Sequence, residues 1–412
     1  MKIAVQTSLP AFQNDIGDVV RLFYGEGAAV EETQQADARL THIHEEADGE
    51  WRETFVLTDC SGRTEQNTLS APAVSGGLEE KRQKKRLIKR CCYMLFKRLS
   101  GRQPAWGSLT GIRPTRLYYQ QLENGKTRGE ARRTLQDLFD LSQEKIDLLD
   151  EILDAQQGLM DRRARACDVY IGIPFCTTRC AYCSFSSGEI GDGRLVEPYL
   201  AALLHEIEAC AEMAREMGLH IRVGYIGGGT PSSLTTPQLD RLLAHVEKHF
   251  GALAEFTVEA GRPDTLDAQK LRMIHDHPVT RISINPQTMN DATLARIGRA
   301  HTAKQTVEAY ELARSIGFDD INMDVIAALP GEDYAMFAHT LAEIRKLRPE
   351  SLTVHTLAIK RSSRLHEEKY AQAEQDVARM VALGRQTAHD MGMRAYYLYR
   401  QKYMAENLEN VG

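Results

Sequence analysis

The spacing of hydrophobic and polar positions changes at about residue 167, and two kinds of architecture follow from the change. From Cys167 onward, short β-branched runs alternate with longer stretches whose apolar residues recur at helical spacing. That alternation predicts repeated βα units around a parallel sheet. The candidate strands are Val169–Ile173, Val223–Ile226, Glu255–Glu259, Arg281–Ile284, Ile321–Ile326 and Leu352–Thr356. The candidate helices are Glu197–Glu216, Pro237–Phe250, Leu266–His275, Thr302–Ser315, Tyr334–Leu347 and Glu374–Met391. Six such units predict an α/β fold, either a doubly wound sheet or a partial barrel. Both put function in the loops at the strand C-terminal ends.

The first 165 residues read differently, as a β-rich and then helical N-terminal region. Residues 1 to about 75 are expected to be mostly strand. Leu40–His44 and Thr54–Leu57 flank Asp48-Gly49, a strong hairpin dipeptide. Ser75-Gly76-Gly77 predicts a boundary. Residues 78–99 carry many Lys and Arg, yet Leu87, Ile88, Cys91, Cys92, Leu95 and Leu99 form one apolar stripe. This favours an amphipathic helix with a solvated basic face over a nucleic-acid arm. Trp106 to Thr115 reads as a turn-rich connector, and 128–160 as two further helices.

Composition narrows the class without changing the architecture. At 412 residues the chain has room for two or three domains, and its net charge of −6 gives no pull toward nucleic acid or anionic membrane. No apolar run approaches the length of a membrane span, and Met1 to Gln6 lack a signal-peptide layout, so a cytoplasmic protein is expected. In a reducing compartment Cys60, Cys91, Cys92, Cys167 and Cys210 read as unpaired residues. Cys167 precedes the first strand, which carries it away from the three remaining thiols.

Those three, Cys176, Cys180 and Cys183, follow the first strand directly. A structural zinc site wants four ligands, and the chain offers no second Cys-x-x-Cys or His pair. Three thiolates on one loop suit a 4Fe–4S cluster better, holding three irons and leaving the fourth open to another ligand. The remaining chemistry-bearing residues fall on the same rim. Gly227-Gly228-Gly229-Thr230-Pro231 follows the second strand and lets backbone approach a ligand closely. It is not a nucleotide-phosphate loop. Glu259 closes the third strand and Asp324 lies within the fifth, both among apolar residues where a carboxylate needs a partner or a ligand. Gln287, Arg299 and His301 are further rim candidates, Arg299 as a carboxylate clamp. Lys360-Arg361 after the sixth strand could meet anionic groups, although such pairs are usually solvated.

Taken together, Cys-x-x-x-Cys-x-Tyr-Cys and Gly-Gly-Gly-Thr-Pro resemble the radical S-adenosylmethionine (SAM) superfamily. Tyr-Ile-Gly-Ile-Pro-Phe, Arg-Ile-Ser-Ile-Asn-Pro-Gln-Thr-Met-Asn, Ile-Gly-Arg-Ala-His and Asn-Met-Asp-Val-Ile-Ala-Ala-Leu-Pro-Gly resemble its oxygen-independent coproporphyrinogen III oxidase group. Trp106 to Thr115 resembles the N-terminal extension of the coproporphyrinogen dehydrogenase branch. The resemblance implies a partial TIM-type barrel of six βα units over 166–365, after an N-terminal extension over 1–165. Residues 366–412 would begin a C-terminal helical region that continues further in the family, so the chain is expected to be truncated.

Further implications concern the site. Cys176, Cys180 and Cys183 would hold a 4Fe–4S cluster whose open iron takes SAM. Tyr170 would contact SAM near the cluster, the backbone around Tyr182 and Gly228, Gly229 and Thr230 would line its pocket, and Glu259, Gln287, Arg299 and Asp324 would add contacts. The implied reaction is radical decarboxylation of coproporphyrinogen III propionates to vinyls, with a flavodoxin or ferredoxin as electron donor. Two positions depart from the oxidase pattern: Phe185 stands where a fourth cysteine is usual, and Gly172 where a histidine is. Phenylalanine there is shared with a haem-carrier branch, so haem binding and delivery is the alternative, and tetrapyrrole methylation a third.

Overall fold

The computed structural model describes residues 1–25, 27–30, 35–111, 113–159, 165–370, 376–401 and 404–412. Ile112, Met160, residues 374–375 and Lys402, which belong to expected segments or motifs, lie outside them. The chain divides into two compact units, Met1–Asp154 with Leu398–Glu409, and Ala155–Tyr397 with Asn410–Gly412.

The first unit is built on strands β1 (Ile3–Thr7), β2 (Ala29–Val30), β3 (Ala38–Ala47), β4 (Glu50–Asp59) and β5 (Thr64–Pro72). Their order is β2-β1-β3-β4-β5. β1 runs parallel to β2 and β3, and β3, β4 and β5 form an antiparallel meander. The β3–β4 turn is Asp48-Gly49 with φ of 53° and 75°, the left-handed pair that the dipeptide predicts.

Two helices, α1 (Gln13–Tyr24) and α2 (Gly77–Ser100), close one core with this sheet. Ile16, Val20 and Phe23 from α1 and Ile88, Cys92, Leu95 and Phe96 from α2 meet Ile3, Leu40 and Phe55. The region up to residue 75 is therefore not simply β-rich. Ile16, Val19, Val20 and Phe23 recur at helical spacing, and that short stripe forms α1 between two parallel strands. Ser75–Gly77 separates the strands from α2, which folds back on the same core. Its basic face is held by acids of α1: Lys85 reaches Asp15 at 2.6 Å, and buried Lys89 reaches it at 3.0 Å.

Helices α3 (Pro114–Glu123), α4 (Arg128–Phe139) and α5 (Gln143–Ala155) follow. The stretch before them carries the expected turns at 105–108 and packs into this unit. Trp106, Ser108 and Leu109 are buried, and a Cβ on Gly107 would fall 1.8 Å from the Phe139 carbonyl oxygen. The Trp106 indole and the Lys145 ammonium both donate to buried Glu409, at 2.7 and 2.6 Å.

The second unit contains strands β6 (Ala166–Ile173), β7 (Phe175–Cys176), β8 (Gly188–Glu189), β9 (His220–Gly228), β10 (Glu255–Val258), β11 (Arg281–Ser283), β12 (Ile321–Ala327) and β13 (Ser351–Thr356). Its helices are α6 (Val196–Glu216), α7 (Thr236–Phe250), α8 (Ala268–Asp276), α9 (Asp291–Arg296), α10 (Ala303–Ile316), α11 (Tyr334–Leu347), α12 (Arg364–Glu367) and α13 (Val377–Asp390). β14 (Leu398–Tyr399) lies in the C-terminal segment of the first unit, and β15 (Asn410–Val411) returns to the second.

Neighbouring strands run β6-β9-β10-β11-β12-β13, all parallel, and β15 adds to β13 antiparallel. This curled, mostly parallel sheet is the expected partial α/β barrel. Apolar strand residues such as Ile226, Val258, Ile282 and Val325 are buried, as are Leu242, Leu271 and Phe337 from the helices. Asp267, Thr302 and Asp333 accept from the backbone N–H three residues on, which caps the N-termini of α8, α10 and α11.

Candidate functional site

Cys176 ends β7, and Cys180 and Cys183 lie on the following loop. All three thiols are free and partly buried. The loop is pinned from three neighbours on the rim. The Ala181 N–H donates to the Ile297 carbonyl at 2.9 Å, and the Thr178 hydroxyl to the Gly298 carbonyl at 2.8 Å. Arg262 donates to the Thr178 carbonyl and hydroxyl oxygens at 3.0 and 2.8 Å, while Asp264 grips the same guanidinium at 3.1 and 3.0 Å. From beyond β13, the Leu365 N–H reaches the Ala181 carbonyl at 3.0 Å, and Arg179 reaches the Ser362 carbonyl at 2.7 Å. Burial pushes the Cys183 thiol up, the Phe185 N–H opposes this, and the thiols of Cys180 and Cys176 add to it. A bound cation would favour the thiolates.

The glycine run meets the cysteines at close range. A Cβ on Gly229 would lie 2.5 Å from the Phe175 carbonyl oxygen, 2.9 Å from that of Ile173 and 3.0 Å from the Cys176 sulfur. Only glycine fits there. Gly228 adopts φ of 105°, and buried Thr230 points its hydroxyl at the Cys176 sulfur, 3.5 Å away. Tyr182, half-buried on the cysteine loop, accepts from Arg299 at 3.3 Å. The other Nη of buried Arg299 donates to the carbonyls of Gly261 and Asn285 at 2.9 and 2.8 Å. Among the described residues its Nε has no partner, and neither do the buried Gln287 Oε1 and Asn285 Oδ1. Gln287 adopts φ of 66°, an unusual conformation for a residue with a side chain, between backbone bonds to Asp324 and Ile326.

The acids occupy the adjoining strands. The Tyr225 hydroxyl makes a short hydrogen bond to Glu259 Oε1, and Tyr170 stacks on Tyr225 with ring centroids 5.7 Å apart. Burial pushes the Glu259 carboxyl up to about 7, opposed by the Tyr225 bond and helped by nearby Asp324. Asp324 has the opposite fate. Burial opposes its ionisation, but His355 at 3.5 Å, Asn322 and Thr353 hold it below the usual carboxylate range. Two carboxyls of one site are thus driven apart in protonation, a pattern common where ligands bind or react.

The candidates converge on one rim through these contacts, Lys360-Arg361 lying next to Ser362, which staples the cysteine loop. His301 is buried 3.6 Å from Asp264, under the loop anchor. Sequence reasoning passed over Tyr225, His355 and Arg262. Tyr225 left one signal, since it precedes Gly227 by two and so shares its face of β9.

Comparison with known proteins agrees with this geometry. The radical SAM superfamily profile matches residues 170–344. An oxygen-independent coproporphyrinogen-III oxidase-like protein, HemZ of Bacillus subtilis, is 38% identical over 390 residues, covering 88% of this chain and 78% of that protein. The heme chaperone HemW of the same organism is 37% identical over 193 residues, 46% of this chain and 50% of its own. Among solved structures, coproporphyrinogen III oxidase (HemN) from Escherichia coli, a radical SAM enzyme, superposes with a TM-score of 0.51 at 25% identity. That match covers 57% of this chain and 55% of the oxidase, so this chain spans about half the length of the chaperone and the oxidase.

The curled parallel sheet and its thiol loop define a radical SAM domain. Within that superfamily, the chain belongs to the oxygen-independent coproporphyrinogen III oxidase-like family.

Membership implies a 4Fe–4S cluster and SAM, and the residues present fit both. Three free thiols stand on one pinned loop, a strand end beside them is stripped of side chains, and buried donor and acceptor atoms of Arg299, Gln287 and Asn285 lack a partner among the described residues.

Proposed function

We propose that Cys176, Cys180 and Cys183 ligate a 4Fe–4S cluster and that SAM binds beside it, against Tyr170, Tyr182, Gly228–Thr230, Glu259, Gln287, Arg299 and Asp324. The observation that carries this reading is the Gly229 cradle, where a bare backbone lies against the Cys176 sulfur at a strand end. When bound, the pair supplies one chemistry: reductive cleavage of SAM to methionine and a 5′-deoxyadenosyl radical that abstracts hydrogen. The protein's share is to hold the thiols in place through Arg262 and Gly298, and to present a polar cleft of mixed protonation to the ligand.

The substrate in this reading is coproporphyrinogen III. A propionate side chain that has lost a hydrogen atom sheds carbon dioxide and passes one electron to an acceptor, leaving a vinyl group. The likeness to HemZ over most of the chain supports this choice. An electron-donating protein such as a flavodoxin or ferredoxin, and a cytoplasmic location, belong to the same proposal. Among the described residues no helix is long and apolar enough to cross a membrane.

Haem binding and delivery is the second reading. Phe185, 66% exposed two residues after Cys183, and the 37% identity to HemW favour it. Anaerobic incubation with coproporphyrinogen III, SAM and a reductant separates the readings. Protoporphyrinogen IX with released carbon dioxide supports the oxidase, whereas stable haem binding without turnover supports the carrier. A methylated tetrapyrrole would instead point to a methyltransferase.

A further inference from the structure

Arginines of the second unit such as Arg241, Arg281 and Arg314 are matched by carboxylates. Four cations beside the cysteine loop are not. Arg179, between Cys176 and Cys180, and Lys360, Arg361 and Arg364, on the segment after β13, make no ion pair among the described residues. Acids do lie on the same segments. Glu189 accepts the Arg179 backbone N–H at 3.1 Å, and exposed Glu367 and Glu368 end α12, but none of them grips a cation of this group.

The two segments are stapled together. The Arg179 guanidinium donates to the Ser362 carbonyl at 2.7 Å, Arg364 donates to the Arg179 carbonyl at 3.1 Å, and the Ser362 hydroxyl donates to the Ser184 carbonyl at 3.2 Å. The buried Nε of Arg179 has no partner among the described residues. Arg361, Ser362 and Arg364 are exposed, and so are Phe185 and Ser186. Ser184 and Phe185 directly follow Cys183, so the thiol loop comes to the surface where these cations gather.

Such a surface selects its partner by charge. The chain carries a net −6, so an acidic protein is repelled by the molecule at large. A local group of unpaired cations reverses that field at one place and orients the encounter. Arginine beside a large exposed aromatic ring is also the composition of protein docking surfaces. Open exposure suits a protein better than a small ligand, whose sites are concave.

We propose that Arg179, Lys360, Arg361 and Arg364, with Phe185 among them, form the docking surface for an acidic electron-carrier protein of the flavodoxin class. The inference rests on the cluster reading above and adds the place where the electron arrives. The balance is one electron: the carrier is oxidised by one, the oxidised cluster is reduced by one, and no bond on this chain forms or breaks.

The test uses the anaerobically cluster-loaded full chain and a reduced bacterial flavodoxin, with Lys360→Glu and Arg361→Glu combined in one variant. Neither side chain makes a hydrogen bond or ion pair among the described residues, so the fold is expected to be kept and iron content to match the parent. The readouts are flavodoxin affinity and the second-order rate of cluster reduction. At about 0.01 M salt, where the Debye length is about 30 Å, the variant should bind more weakly and be reduced roughly tenfold more slowly. Near 1 M salt, where that length is about 3 Å, the two proteins should converge. Photoreduced 5-deazariboflavin, small and uncharged, should reduce both alike. Lys248→Glu with Arg272→Glu makes the same charge change on exposed positions of α7 and α8 and should leave the low-salt rate at the parent value. An unchanged low-salt rate and affinity in the Lys360 and Arg361 variant overturns the inference, as does an equal loss in the α7 and α8 control. Lost affinity for coproporphyrin III with flavodoxin unaffected also overturns it and assigns the cations to substrate carboxylates. In each of these cases reduction by 5-deazariboflavin leaves the cluster reading standing. A chain that takes up no cluster sinks both.

Discussion

Replacing Gly229 with alanine is the sharpest steric test of the site. The added Cβ would lie 2.5 Å from the Phe175 carbonyl oxygen and 2.9 Å from that of Ile173, both backbone atoms that no rotamer change can move. Even weak carbon–oxygen contacts open at about 3.3 Å, so the shortfall is about 0.8 Å at the first and about 0.4 Å at the second. The third neighbour is the Cys176 sulfur at 3.0 Å. Relief therefore requires the end of β6 and β7 to separate from the end of β9, which breaks the Gly229 N–H bond to Ile173, 2.6 Å long, and shifts Cys176. Overpacking of this kind costs about 1–3 kcal/mol. The assay is iron bound per chain after anaerobic reconstitution, read beside the thermal unfolding midpoint. Gly188→Ala is the matched control, since a Cβ there meets nothing within 4 Å. The expected result is iron loss and a lowered midpoint for Gly229→Ala alone. Full iron retention with an unchanged midpoint would refute the argument that this strand end is bare to accommodate its neighbours.

Three further outcomes follow from the geometry. Cys180→Ala should purify anaerobically without the brown chromophore and with iron reduced to background, measured by absorbance and metal analysis. Asp264 is held well below the usual carboxylate range because Arg262 and His301 outweigh its burial. Its contribution is thus fully present above the unfolded pKa of about 4 and lost as pH falls below that. Asp264→Asn should lower stability at pH 7 and flatten the acid limb below about pH 4, as acid titration of unfolding reports. In the first unit, Lys145→Met leaves Glu409 buried without its 2.6 Å ammonium partner, and a loss of about 3–5 kcal/mol is expected by denaturant titration. An unchanged midpoint there would refute the argument that Glu409 depends on this ammonium.

What was legible in the sequence and what was not separate along physical lines. The helix expected at Tyr334–Leu347 is observed with those bounds, and each candidate barrel strand overlaps an observed one, because local periodicity reports which face is buried. Helix α1 was lost in a region read as strand, since twelve residues leave room for only one short apolar stripe. Ser75–Gly77 carried a turn signal, but a turn does not say whether the following helix leaves the core or returns to it.

The site shows the same division. Thiols and glycines announce themselves by type and spacing. Tyr225 acquires its role only when parallel register sets it opposite Tyr170 and a neighbouring strand ends in Glu259, and His355 only when β13 pairs with β12 beside Asp324. Arg262 reads as a solvated loop residue until the cysteine loop is laid across it. Long-range pairing created these contacts, and no local pattern encodes them.

The central claim is that three cysteines hold a cluster with one iron free for SAM. Electron paramagnetic resonance of the dithionite-reduced, cluster-loaded protein, with and without SAM, tests it most directly. The account predicts a 4Fe–4S signal whose g-values change when SAM is added and which is missing from Cys180→Ala. A signal indifferent to saturating SAM, or one that survives in Cys180→Ala, would contradict it.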